Sequence, residues 1–279
     1  MGLKILHGKV AVITGASSGI GRATAVTLAE KGSHLALAAR NAAALQKVAR
    51  EIEGLGGEAL VVPTDVTHQD QVVNLVARTL ARWERIDILV ANAGDYVRCP
   101  IVELTVGEVE RSMAVNFYGV LYSILAVLPH MLKQGSGHLV MVNSMDGRVG
   151  LPLDAPYVAA KFALGGFGEV LRRELYGTGI GVTTVFPGRV DSPMIAGLKV
   201  PWVTAKTPPS HVARAIARAI RRGQPQVILP FRTRALDFLN GLTNNLSPRL
   251  GDWVVRWLHL EGWESPAATG RGVSRETSR

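Results

Sequence analysis

One cysteine, Cys99, stands in a chain of 279 residues. That scarcity excludes an intramolecular disulfide framework and any metal cage built on thiolates, so no metal site is expected. Long hydrophobic runs are missing too. The longest, Val120 to Leu128, is interrupted by Tyr122 and Ser123, well short of the roughly 18 apolar residues of a spanning helix. It reads as a buried core helix. The start, Met1 to Gly8, is too short and too polar for a secretory signal core. The expectation is a cytoplasmic protein that is not secreted.

An excess of one charge is also absent from most of the chain. Residues 1–198 hold 18 Lys+Arg against 17 Asp+Glu, whereas residues 199–279 hold 13 against 5. Nearly all of the net charge of +9 therefore lies in the last third, with four of the five tryptophans: Trp202, Trp253, Trp257 and Trp263. A neutral body carries a basic, aromatic-rich extension. That extension has no zinc-finger or RNA-recognition signature, so no nucleic-acid partner is expected.

The body alternates short apolar runs with helical periods. Val10-Ala11-Val12-Ile13 ends in a Gly-rich turn, as a fully buried parallel strand does. Helices are predicted at about 20–31, 42–55, 69–83, 106–133 and 157–176, the fourth of these broken near Asn116. Between them fall strands at 34–39, 59–63, 86–91, 138–143 and 181–186. Ser210 reads as the N-cap of a further helix closed by Gly223, and Val227-Ile228-Leu229 as a last strand. This order predicts an α/β fold: a doubly wound parallel sheet with helices on both faces. Residues 1–230 read as one catalytic domain and 231–264 as an amphipathic helical extension. The stretch 265–279, with almost no large apolar residue, reads as a disordered tail.

Two motifs carry chemistry. Thr14-Gly15-Ala16-Ser17-Ser18-Gly19-Ile20-Gly21 joins the first strand to the first helix. Gly15 permits the tight turn, while Gly19 and Gly21 let the backbone and helix N-terminus approach a pyrophosphate. The spacing is G-x-x-x-G-x-G, not the common G-x-G-x-x-G. The second motif is Tyr157 and Lys161, four apart on one helix face. A phenol near its usual pKa of about 10 is a poor base at neutral pH, and a nearby ammonium favours its phenolate. The pair reads as a proton shuttle.

Together, on the first turn and on the helix after the fifth strand, these motifs resemble the short-chain dehydrogenase/reductase family in its single-domain branch. The resemblance covers about Lys9 to Pro230. It includes Asp65-Val66 after the third strand, Asn92-Ala93-Gly94 after the fourth and Asn116 in the long helix. Ser144 ends the fifth strand, and Pro187-Gly188, Val190 and Ser192 follow the sixth. The resemblance implies that Tyr157 exchanges the proton of a carbonyl or alcohol oxygen and that Ser144 orients that oxygen. Lys161 would depress the Tyr157 pKa and bind the nicotinamide ribose, and Asn116 would hold a water leading to Lys161. Asp65 would accept from the adenine amino group, Asn92 would tie the fourth strand to its neighbour, and Ser192 would contact the carboxamide. A homodimer or homotetramer is implied as well. A non-catalytic NADP sensor is the competing reading, and the intact Ser144, Tyr157 and Lys161 set argues against it.

The end of the second strand decides between the dinucleotides. NAD(H) requires an acidic side chain for the ribose 2′-hydroxyl, whereas the 2′-phosphate of NADP(H) requires a cation. Here Ala39 stands at the acidic position and Arg40 follows, which favours NADP(H). Asp146, after Ser144, brings charge near the substrate region, with its direction open. Met194 to Val203 is mostly apolar and reads as a lid, pointing to a lipophilic carbonyl or alcohol. In the extension, Leu236, Leu239 and Leu242 make one stripe, and Trp253 and Trp257 lie one turn apart. They would pack on the body or on a second subunit, or lie on an anionic membrane as a peripheral contact.

Overall fold

The computed structural model describes residues 6–196 and 206–230, and beyond them 234, 238–239, 241–243 and 246–257. Seven strands form one sheet: β1 (Val10–Thr14), β2 (His34–Ala39), β3 (Glu58–Pro63), β4 (Ile88–Ala91), β5 (Gly137–Val142), β6 (Ile180–Pro187) and β7 (Gln226–Leu229). Their order is β3-β2-β1-β4-β5-β6-β7, and every pairing is parallel. The helices are α1 (Gly19–Ala29), α2 (Ala42–Gly54), α3 (Gln69–Trp83), α4 (Val106–Met113), α5 (Gly119–Gln134), α6 (Ala155–Glu174), α7 (Pro209–Arg222) and α8 (Pro248–Trp257).

Successive strand side chains point to opposite faces, which divides the core in two. Ala11 and Ile13 of β1, with Leu35 and Leu37 of β2, meet Leu28 of α1, Leu45 and Ile52 of α2 and Ile216 of α7. Val12, Ala36 and Leu89 face the other way, onto Leu75 of α3, Ile124 and Met131 of α5 and Leu164 of α6. Both faces are covered, so the strands read as unbroken apolar runs.

The helix expected to break near Asn116 does not break. A π-helical turn, Ala114–Tyr118, joins α4 to α5 and widens the helix by one residue. The span Val106–Gln134 is 29 residues with a mean hydropathy of 1.5, long and apolar enough by composition to cross a membrane. Its inner face carries the fully buried Val120, Ile124, Val127 and Met131, which pack on the sheet. Ser210 is not the cap of α7. Pro208 holds that place and Pro209 opens the helix, because a proline loses no hydrogen bond in the first turn.

Within the extension the described residues at 234, 238–239 and 241–243 are helical, and α8 spans Pro248–Trp257. The expected tail at 265–279 lies outside the described residues, as do Trp202, Trp263 and most of the expected lid (197–203).

Candidate active site

The strand order reverses between β1 and β4, so a crevice opens beyond their carboxyl ends. Two turns wall it there. The Asn92 and Ala93 backbone N–H groups donate to Thr14 Oγ1 at 3.0 and 3.1 Å, and Asn92 Nδ2 donates to the Thr14 carbonyl at 3.0 Å. Asn92 ties β4 to β1 as expected. Thr14, which the motif contains but the spacing argument leaves without a role, is the hinge of that junction.

Gly15 has φ +66° and Gly19 +52°, and a Cβ on Gly15 would stand 2.8 Å from Asn92 Nδ2. Ser18 precedes α1 without a side-chain cap, and the first turn of α1 holds no acidic residue. Its unpaired N–H groups and positive helix end therefore face the crevice, as an anion requires. Gly21 acts differently from expectation. It does not line the crevice; a Cβ there would lie 2.2 Å from the Gly15 carbonyl oxygen, so its hydrogen lets α1 close against the turn.

The crevice is a cleft with a cavity of about 430 Å3, within the roughly 300–1,000 Å3 typical of small-molecule and cofactor sites. Every site residue expected from sequence lines it except Gly21 and Asn116. At one end lie Ala39, the exposed Arg40 and Asp65. Burial pushes the Asp65 carboxyl up, but hydrogen bonds from the Thr67 backbone and hydroxyl, with the Arg40 charge, hold it below its ordinary value. Ser192 closes against Gly19: a Cβ on that glycine would lie 3.2 Å from the Ser192 Cβ. Val190 bridges to Thr207, and the Gly188 N–H donates to the Leu229 carbonyl at 2.6 Å, fixing the loop after β6.

At the other end, α6 presents Tyr157 and Lys161 one turn apart, both buried. Lys161 Nζ donates to the Val142 carbonyl at 3.1 Å and sits 5.5 Å from the centre of the Tyr157 ring. Asn143 links β5 to α6, with Nδ2 donating to the Lys161 carbonyl at 3.1 Å while Oδ1 accepts from the Ser144 N–H at 2.8 Å. Ser144 shares a hydrogen bond with Tyr157 that favours the phenolate.

The electrostatics correct one expectation. The net shift of the Tyr157 phenol is upward, not down. Burial pushes the phenol well above its ordinary value, and the nearby Asp146 charge pushes it further. Burial likewise pulls the Lys161 ammonium down to about 8, against the opposing influence of Asp146. Desolvation of the charged form is the largest influence on each of the two groups.

Asn116 is fully buried behind the cleft rather than in it. Its Oδ1 accepts from the Asp95 N–H at 3.2 Å, and its Nδ2 donates to the carbonyls of Asp95 at 2.8 Å and Ser112 at 3.1 Å. The π-helical turn aims it at this loop, where it holds Asp95 and Tyr96 against the cleft. Charged groups that the motifs do not mark also gather here. Asp146 and Arg189 line the cleft. Asp154, 1% exposed, lies behind Tyr96 with its Oδ1 3.2 Å from Arg98 Nε.

A family model described as short chain dehydrogenase matches residues 9–200. The chain belongs to the short-chain dehydrogenases. An uncharacterized oxidoreductase of Listeria innocua is 40% identical over 192 residues, covering 68% of this chain and 77% of its own. One from Staphylococcus saprophyticus is 39% identical over 221 residues, covering 78% and 93%. Among solved structures, a short-chain type dehydrogenase/reductase from Mycobacterium marinum superposes with a TM-score of 0.75 at 30% identity, covering 80% of this chain and 94% of its own. An alcohol dehydrogenase from the archaeon Thermococcus sibiricus, complexed with 5-hydroxy-NADP, gives 0.73 at 29% identity, covering 80% and 96%. This short-chain dehydrogenase is therefore an oxidoreductase with an NAD(P)-binding fold.

Proposed function

We propose that the protein is an NADP(H)-dependent enzyme interconverting a carbonyl and a secondary alcohol. One observation carries the reading: Ser144, Tyr157 and Lys161 converge in the same cleft as the uncapped N-terminus of α1. The glycine turn and that helix end fit a pyrophosphate. Arg40 beside Ala39 fits a 2′-phosphate, since no carboxylate stands at Ala39 to repel it. The Asp65 carboxylate would accept from the adenine amino group, and Ser192 would meet the carboxamide.

The dinucleotide, when bound, supplies or accepts the hydride. Tyr157 holds the proton that the substrate oxygen gains on reduction and takes it back on oxidation. Ser144 donates a hydrogen bond to the same oxygen as charge develops on it. Lys161, anchored at the Val142 carbonyl, binds the ribose hydroxyls and resupplies Tyr157 with a proton. Asn116 secures the Asp95–Tyr96 wall with its side chain, and a water leading to Lys161 would be held on the same turn.

Val149, Leu151, Met194 and Ile195 give the far wall of the cleft an apolar surface, which supports a lipophilic substrate. The exposed Leu125, Leu132, Phe162 and Val170 on α5 and α6, with Tyr176 in the turn after α6, support a homodimer or homotetramer. Exposed Leu242, Leu246, Leu250 and Trp253, in a basic extension, support a peripheral contact with anionic membrane on the cytoplasmic side. Liposome co-sedimentation tests that contact: the native chain sediments, and removing residues 231–279 abolishes it. The function itself is tested by a carbonyl and alcohol panel followed by NADPH absorbance. Turnover of at least one member, lost in Tyr157→Phe, is expected; none by the native chain overturns the reading.

A further inference from the structure

The Ser144 hydroxyl has one proton to give and two lone pairs. Its Oγ accepts from the Asp146 N–H at 3.1 Å and lies 3.0 Å from Asp146 Oδ2. The direction of the serine proton therefore depends on that carboxyl. A carboxylate can only accept, so it draws the proton to itself; a carboxylic acid can donate, and the serine proton turns elsewhere. Elsewhere, in this cleft, are the Tyr157 hydroxyl, already within hydrogen-bonding reach of Ser144, and the oxygen of a reacting group placed between the two.

We propose that Asp146 is a positioning residue for Ser144. Neutral, its carboxyl donates to Ser144 Oγ and leaves the serine proton for the substrate oxygen; ionised, it withdraws that proton. The inference rests on the carbonyl–alcohol reading of the cleft and names a residue that reading leaves without a task.

The surroundings place the carboxyl where both forms are populated. Around it stand Ser144 from its own turn, Asp154, Tyr157 and Lys161 from α6 and its start, Arg189 from the loop after β6 and Tyr96 from the loop after β4. Burial pushes the carboxyl up and Asp154 adds to this, while Arg189, the Ser144 hydrogen bond and Lys161 pull it back. The balance is about 6. Asp146 is thus neutral below that pH and a carboxylate above it. The ionised form carries a second penalty of the same sign, because its charge pushes the Tyr157 phenol further from ionisation. Both effects slow the reaction as pH rises. Asp146 is half-buried in a cleft that Val149 and Leu151 also line.

The test is kcat against pH, from about pH 5 to about pH 9, with NADPH and whichever panel carbonyl turns over fastest. The native chain should lose activity as pH rises through about 6, approaching tenfold per pH unit until a plateau, roughly as the neutral fraction falls. In Asp146→Asn the amide donates at every pH, so this limb should vanish, leaving the fall set by Lys161 near 8. A residue that merely shaped the turn would lower kcat without changing the profile. Carbon-13 carboxyl shifts of the native chain give a second readout that needs no turnover. Asp146 should titrate near 6 and move upward in Ser144→Ala, which removes a bond to its carboxylate. Identical pH profiles for the native chain and Asp146→Asn overturn the proposal. So does a carboxyl that ignores Ser144→Ala. Failure of the native chain to turn over any carbonyl is a different result, and overturns the enzyme reading together with this inference.

Discussion

Exchanging the residues at the end of β2 should reverse the preference between the two dinucleotides. Arg40 is exposed at the adenosine end of the cleft, and Ala39 beside it offers no hydrogen-bonding group. A charge-assisted hydrogen bond is worth about 1.5–3 kcal/mol, and the exposure of Arg40 argues for the lower part of that range because water screens the pair. Arg40→Ala should therefore weaken NADPH binding by about 1.5 kcal/mol, roughly tenfold, and leave NADH nearly unchanged. Ala39→Asp adds a carboxylate that accepts from the NADH ribose hydroxyls, worth about another 1.5 kcal/mol, and repels a 2′-phosphate. The double variant should shift the ratio of dissociation constants toward NADH by at least about 100-fold. Equilibrium titration of nicotinamide fluorescence measures both constants without any substrate. A ratio within about threefold of the native value, in a folded variant, would refute the assignment of Arg40 to the 2′-phosphate.

Two further outcomes follow from the same geometry. Gly21→Ala places a Cβ 2.2 Å from the Gly15 oxygen; the turn must shift, and denaturant unfolding should show a loss of about 1–3 kcal/mol with weakened NADPH binding. Asp87, 5% exposed, binds Lys9, Arg85 and the Val10 N–H. Burial pushes its carboxyl up, but those partners outweigh burial and hold it below its ordinary value. A depressed folded pKa stabilises above the unfolded value and fades as pH falls through the folded one. Asp87→Asn should thus cost about 1.5–3 kcal/mol at neutral pH and progressively less as pH falls below the ordinary carboxylate value of 3.8, read by urea unfolding across pH.

Much of this was legible in the residues. Strands buried on both faces leave continuous apolar runs such as Val10 to Ile13, and helices α2 and α3 carry a clear apolar stripe ended by glycine or a left-handed Glu84. Tyr157 and Lys161 could be paired because helix periodicity alone puts them on one face. What was not legible depended on depth and direction. Burial holds the Tyr157 phenol above its ordinary value, and sequence spacing does not report burial. The π-helical turn slips the helical period by one residue, which from sequence looks like a break near Asn116. Asp146 could be placed near the site by its neighbour Ser144, but its aim depends on the turn Met145–Gly147, where its own N–H binds the serine. Ser210 looked like a cap because two prolines before it concealed the true start of α7.

The central claim, that the Tyr157 phenol is the proton carrier of a bound-dinucleotide reaction, is tested most directly by Tyr157→Phe. NADPH binding and steady-state turnover would be measured on the same preparation. Removing the hydroxyl should lower kcat by about 100- to 10,000-fold while the NADPH dissociation constant stays within about threefold. A variant that binds NADPH and reduces the same carbonyl at the native rate would contradict the account.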